Sequence, residues 1–125
     1  MSYLYIFIAT AILSISGISS LPHAEIEKAF NASDAGAIES LMNEKVLMTV
    51  LGKDGAYSKS QAKLILKDFF TKYPKGKFEI IHPGKEGASA FSIGNYTVNG
   101  NVFRVTFHFK KVNGKYLIET LNIEN

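Results

Sequence analysis

Cysteine is absent from the chain, which excludes disulfide staples, Cys-containing zinc sites, thiol catalysis and a lipid-modified N-terminal cysteine. Arginine occurs once, as Arg104. The other basic residues are scattered lysines, and the aromatics fall on apolar stripes. Nucleic-acid readers show clustered arginine and exposed aromatics, so no nucleic-acid partner is expected despite a net charge of +3. With 10 glycines and 3 prolines in 125 residues, the chain is neither a disordered tail nor a fibrous repeat. Its apolar share of 46% is enough for a core, and its length suits one compact domain rather than two.

Charge is also missing from the beginning of the chain. No charged side chain occurs from Met1 to Pro22, and Tyr3 to Leu13 is apolar except for Thr10. Ser14, Ser16, Gly17, Ser19 and Ser20 follow, so a short apolar run leads into the small residues that a signal peptidase accepts. Residues 1–20 therefore read as a cleaved export signal, with the bond after Ser16, Ser19 or Ser20 as the cut, although the segment before the run has no Lys or Arg. A retained anchor needs about 20 apolar residues to cross a bilayer core, more than this run supplies. A buried first helix is the remaining alternative. Residues 21–125 then form a single exported domain, periplasmic or secreted from a bacterial envelope, with no membrane association after cleavage. The signal also explains a mean hydropathy of +0.06, since the rest of the chain is polar on average.

In the exported part, Ile26, Ala29 and Phe30 and then Ile38, Leu41 and Met42 lie at i, i+3, i+4, predicting two short helices, with Asp34 capping the second. Val46 to Leu51 reads as a buried strand ended by a turn at Gly52–Gly55. Ser58 and Gln61 form a capping box ahead of a longer helix, whose stripe is Ala62, Ile65, Leu66, Phe69, Phe70 and Tyr73. Lys59, Lys63 and Lys67 run up another face, a pattern more common on solvated helices than at docking sites. Lys77 to His82, Ala88 to Val98, Asn101 to Val112 and Lys115 to Glu124 read as strands. Asn99-Gly100 and Asn113-Gly114 join the last three as hairpins, because both central residues of a type I′ turn need positive φ. Phe103, Val105, Phe107 and Phe109 alternate with Arg104, Thr106, His108 and Lys110, so one sheet face is covered and the other is wet. The expected fold class is α+β: a curved antiparallel sheet packed on helices, in the order α-α-β-α-β-β-β-β.

That order of elements resembles the nuclear-transport-factor-2-like fold, a cone-shaped sandwich shared by ketosteroid isomerase, SnoaL-type cyclases and many binding or scaffolding domains. More specific are Tyr57-Ser58-Lys59-x-Gln61-Ala62-x-x-Ile65-Leu66-x-Asp68-Phe69-Phe70, Phe78-x-Ile80-x-His82-x-Gly84, Phe91-x-Ile93-Gly94, Phe103-Arg104-Val105, and Gly114-Lys115-Tyr116-Leu117-Ile118 through Ile123-Glu124. Together they are similar to a secreted bacterial family found mostly in Bacteroidetes, domain of unknown function 4783, from about Ala24 to Glu124. The resemblance implies export and fold, and carries no activity or site.

Chemistry is sparse. No Gly-x-Ser-x-Gly turn surrounds a serine, and His23, His82 and His108 form no His-x-His or His-x-x-x-His pair, so neither a hydrolytic triad nor a metal site is expected. No cofactor is implied. Isomerases of the resembled fold use a carboxylate base in a dry cavity under the sheet. Val46 to Leu51 carries no acid, whereas Glu119 shares strand parity with Leu117, Leu121 and Ile123, placing it either at a cavity mouth or on a bulge. The ligand-binding candidates are Glu119, Tyr57, Tyr96, Arg104, His82 and His108. Arg104 could clamp an anion, or pair with Glu79 or Glu119 on the strand surface. The sequence therefore points to a non-catalytic binding or scaffolding module for a small ligand or a protein partner, with a homodimer through the sheet face as one form of partner. An isomerase- or lyase-like enzyme is the alternative. The deciding feature is whether Phe69, Phe70, Phe103, Phe107 and Phe109 fill the space under the sheet.

Overall fold

The structure, a computed structural model, describes residues 20–125. The export signal expected over residues 1–20 lies outside them except for Ser20. The elements are α1 (His23–Asn31), α2 (Ala35–Glu39), β1 (Met42–Val50), β2 (Lys53–Ser58), α3 (Lys59–Lys72), β3 (Lys77–His82), β4 (Phe91–Val98), β5 (Asn101–Val112) and β6 (Lys115–Glu124). The strands form one curved six-stranded sheet in the order β2-β1-β6-β5-β4-β3, with the helices packed on one face. The α+β class agrees with the sequence, as does the succession of helices and strands apart from one added strand.

Local signals explain most of the elements. Asp34 caps α2 by accepting from Ala37 N, and Ser58 and Gln61 close their capping box at the start of α3. Both Asn-Gly hairpins adopt positive φ at their two central residues, as type I′ geometry requires. The stripe of α3 is buried at Ala62, Leu66, Phe69 and Phe70, and β5 alternates as expected, with Phe103, Val105, Phe107 and Phe109 inside. Leu41 and Met42 leave the helical path after the single turn of α2, and Met42 begins β1.

Four features depart from the sequence reading. The hairpin turn lies at Leu51-Gly52 (φ +50° and +89°), and Lys53–Ser58, with Gly55 inside it, is an additional strand. The sheet is not wholly antiparallel: β1 pairs with β6 in parallel, while the other pairings are antiparallel. β4 begins at Phe91, so Ala88 to Ala90 belong to the preceding loop. In β6 the register slips at Glu119: Phe109 faces Ile118 and His108 faces Thr120, leaving Glu119 unmatched. That bulge exchanges the faces of the strand, so Tyr116 and Ile118 are buried before it, Leu121 and Ile123 after it, and Leu117 is not an inward residue of the same set.

The space between helices and sheet is filled with rings. Phe30 stacks on Phe78 at 4.6 Å and meets Phe70, Tyr96 and Phe107 edge-on at 5.4–5.9 Å. Phe69 reaches Phe103 at 5.2 Å and Phe70 at 5.7 Å. These separations are those of aromatic pairs in a packed interior. Any room for a ligand is therefore displaced to the rim.

Candidate functional site

At the rim, α3 and the β1–β2 hairpin diverge and leave a cleft of about 440 Å³. Met48 and Val50 from β1 and Phe69 and Ile65 from α3 form its apolar lining, with Leu51 and Leu64 at its opening. Lys53, Asp68 and Lys72 bring charge to the same lining. The Lys72 ammonium is 3.4 Å from the Asp68 carboxylate, and both side chains are about two-thirds exposed, at 64% and 68%. Leu64 is 63% exposed, although it stands on a helix whose other large apolar side chains are mostly sheltered. The volume is in the range of small-molecule sites, and the pattern of apolar walls with a few polar groups is theirs too.

Tyr57 is the one sequence candidate in this cleft. Its ring leans back along β2 over Gly55, where an added Cβ would stand 2.6 Å from the Tyr57 Oη. Gly55 is thus a strand residue that leaves room for a ring. Leu51, at the hairpin tip, holds φ +50°, a left-handed conformation costly for a branched side chain. That conformation belongs to the two-residue hairpin turn, which sets a leucine at the opening.

The other candidates lie elsewhere. The Tyr96 ring is fully buried; its hydroxyl donates to Tyr73 O at 2.7 Å and accepts from Gly76 N at 3.0 Å, tying the end of α3 to β4. Glu119 sits on the β6 bulge and is not part of the cleft wall. The carboxylate at the cleft is Asp68, largely solvated and next to an ammonium, unlike a desolvated general base. Arg104 is exposed between Asn95 on β4 and Glu124 on β6, and makes no ion pair within 4 Å among the described residues. It does not join Glu79 or Glu119. His82 and His108 come together only through Phe91, which stacks on one at 5.3 Å and on the other at 5.8 Å. Among the described residues no group of three or more potential ligands could hold a metal ion.

One polar pair was not singled out by the sequence. Ser92 is fully buried and its Oγ lies 2.7 Å from His23 Nε2. The Ser92 hydroxyl donates its only proton to Pro83 O at 2.8 Å, so the His23 N–H is the donor toward Ser92. A base that activates a serine must accept that proton, so this arrangement is a structural tie between α1 and β4 rather than a nucleophile and its base. The 69 residues between the two partners hid it from any local motif.

A family model described as Domain of unknown function (DUF4783) matches residues 23–124. The chain is similar to the crystal structure of a DUF4783 family protein from Bacteroides ovatus, with 30% identity and a TM-score of 0.77 over 84% of this chain and 94% of that one. A DUF4783 family protein from Bacteroides uniformis gives 27% identity and a TM-score of 0.78, with 85% and 97% covered. An NTF2-like protein of unknown function from Shewanella baltica is similar in fold alone, at 14% identity and a TM-score of 0.62 over 98% and 95% of the two chains. No curated protein matches the chain. No helix among the described residues is long and apolar enough to cross a membrane. With a match that runs from α1 to the last residue of β6, the chain belongs to the DUF4783 family and has a nuclear-transport-factor-2-like fold with no specific activity established.

Proposed function

We propose that this domain is a non-catalytic binding module whose cleft between α3 and the β1–β2 hairpin takes a small amphipathic ligand, an apolar body with an anionic head. One observation carries the reading: rings fill the interior beneath the sheet, while the cleft keeps an apolar lining and leaves Leu64 63% exposed at its opening. Covering a leucine of that kind is worth about 1.5–3 kcal/mol, which favours an apolar occupant. Lys53 has no ion-pair partner within 4 Å among the described residues and, beside the Lys72–Asp68 pair, leaves the lining net positive, which favours an anionic head over a cationic one.

Titration calorimetry with dodecanoate tests this. Binding is expected at micromolar to millimolar dodecanoate, and Leu64→Gln, on an exposed helix position, is expected to weaken it by about tenfold. Saturating heats that do not change in Leu64→Gln, or no heat at all, would remove the cleft from consideration.

The domain works outside the cytoplasm in this reading. Support comes from the uncharged, apolar start of the chain with its serine-rich continuation, and from Leu21, a buried residue that each of the three candidate cuts would retain. N-terminal sequencing of the protein recovered from a Bacteroidetes host should find a chain that begins between Gly17 and Leu21. An intact Met1 would contradict export by cleavage.

A further inference from the structure

On the β2 side of the cleft, three residues share one face of the strand. Lys53, Gly55 and Tyr57 stand opposite Val50, Met48 and Val46 of β1, of which Val46 and Met48 are buried and Val50 lines the cleft. Residues opposite one another share a face of the sheet, so all three of β2 are on the side of α3, while Asp54 and Ala56 between them are on the other. Gly55 leaves a gap in that row, and the Tyr57 ring lies in it: an added Cβ at Gly55 would meet the Tyr57 Oη first, at 2.6 Å. The hydroxyl is thereby turned along the strand toward Lys53. Residues two apart on a strand are separated by about 6.6 Å, a distance that the flexible four-carbon stem of a lysine spans. The hydroxyl and the ammonium can therefore converge on one head group.

Both donors are free to do so. The Tyr57 hydroxyl has no hydrogen-bond partner among the described residues, whereas that of Tyr96 is held between Tyr73 O and Gly76 N and that of Tyr116 accepts from Gly87 N. Lys53 has no ion-pair partner within 4 Å among the described residues, and the second ammonium of the lining, Lys72, is 3.4 Å from Asp68. The cleft thus offers one uncompensated positive charge and one neutral donor beside it, and the Asp68 carboxylate on the same lining opposes any further negative charge. A carboxylate matches this set, with a single charge and an oxygen for each donor. A phosphate monoester carries a charge of about −1.5 to −2, more than Lys53 alone balances. An alcohol leaves Lys53 without a counter-charge.

On the reading of this cleft as a ligand site, we infer that Lys53 and Tyr57 form a two-donor clamp that selects monocarboxylates. The Tyr57 hydroxyl donates to one carboxylate oxygen, the Lys53 ammonium pairs with the other, and Gly55 supplies the space in which the ring reaches them. The apolar tail then lies against Leu64 and Ile65.

The test is calorimetry near neutral pH on the whole domain with dodecanoate, dodecyl phosphate and 1-decanol, three apolar chains with different heads. The unaltered domain should bind dodecanoate about tenfold more tightly than dodecyl phosphate. Tyr57→Phe keeps the ring, removes only the hydroxyl and should weaken dodecanoate by about tenfold. Lys53→Met should weaken dodecanoate by about tenfold and leave 1-decanol within about twofold, because an alcohol carries no charge. Should either variant fail to fold, the comparison of heads on the unaltered chain decides the question. Equal or tighter binding of dodecyl phosphate, an unchanged dodecanoate affinity in folded Tyr57→Phe, or an equal loss for 1-decanol in Lys53→Met would overturn the inference. A loss in Leu64→Gln with none in Tyr57→Phe would remove the clamp and leave the cleft reading standing, whereas an absence of dodecanoate binding to the unaltered domain would remove both.

Discussion

The hydroxyl end of Tyr57 lies over Gly55, two residues earlier on the same strand, so closely that a methyl group at Gly55 would stand 2.6 Å from the Tyr57 Oη. The missing side chain at one position is thus space used by the ring of another. Gly55→Ala should lift the ring from the strand and alter the cleft. Because the obstructing atom is the far end of a side chain that can turn away, the fold should survive. Glycine's backbone cost in a strand, about 0.5–1 kcal/mol, is recovered by alanine, so urea denaturation should show stability within about 1 kcal/mol of the parent. Dodecanoate affinity should fall, and an unchanged affinity would mean that the ring position is irrelevant to binding.

Leu51 offers a complementary change. Its left-handed backbone costs a branched residue about 1–2 kcal/mol, whereas asparagine adopts that conformation readily. Leu51→Asn should therefore raise stability by about 1 kcal/mol in urea denaturation and weaken dodecanoate binding by removing an apolar contact at the opening. Gain in stability with full affinity would show that the leucine serves the fold and not the site.

Tyr96 is a fold residue by the same reasoning. Removing its hydroxyl in Tyr96→Phe leaves the Tyr73 carbonyl and the Gly76 amide without their partner, at a cost of about 1–3 kcal/mol. Thermal and urea unfolding should register that loss, and dodecanoate affinity at a temperature where the variant is folded should stay at the parent value.

Ser92→Ala should be similarly costly, about 1–3 kcal/mol, because a fully buried hydroxyl joins Pro83 O to His23. The measurement is again urea unfolding. A loss well below 1 kcal/mol would mean that the pair is not a tie between α1 and β4.

These residues also mark how far the sequence could be read. Asn99-Gly100, Asn113-Gly114 and the Ser58–Gln61 box are local devices whose chemistry depends on neighbours in the chain, and each appears where expected. The Phe103 to Phe109 alternation likewise carries its own orientation. The second strand was hidden because its residues are polar or small, because Gly55 resembles a turn, and because leucine is a poor marker for the left-handed turn at Leu51-Gly52. The cleft depends on that hairpin, so Tyr57 alone of the candidates could lead to it. The bulge at Glu119 arises from pairing with β5 across the sheet, and the parallel β1–β6 pair joins segments some 70 residues apart, so neither leaves a local signal. Asn31 seals β3 from 47 residues away, a role that no local pattern signals.

The most direct test of the binding account is a chemical-shift map of the isotope-labelled domain titrated with dodecanoate. Shifts should saturate and cluster at Leu51, Lys53, Tyr57, Leu64, Ile65 and Lys72, with methyl contacts between the chain of the ligand and Leu64 and Ile65. Shifts gathered at Glu119, or on the outer sheet face around Arg104 and His108, would contradict the assignment of the cleft.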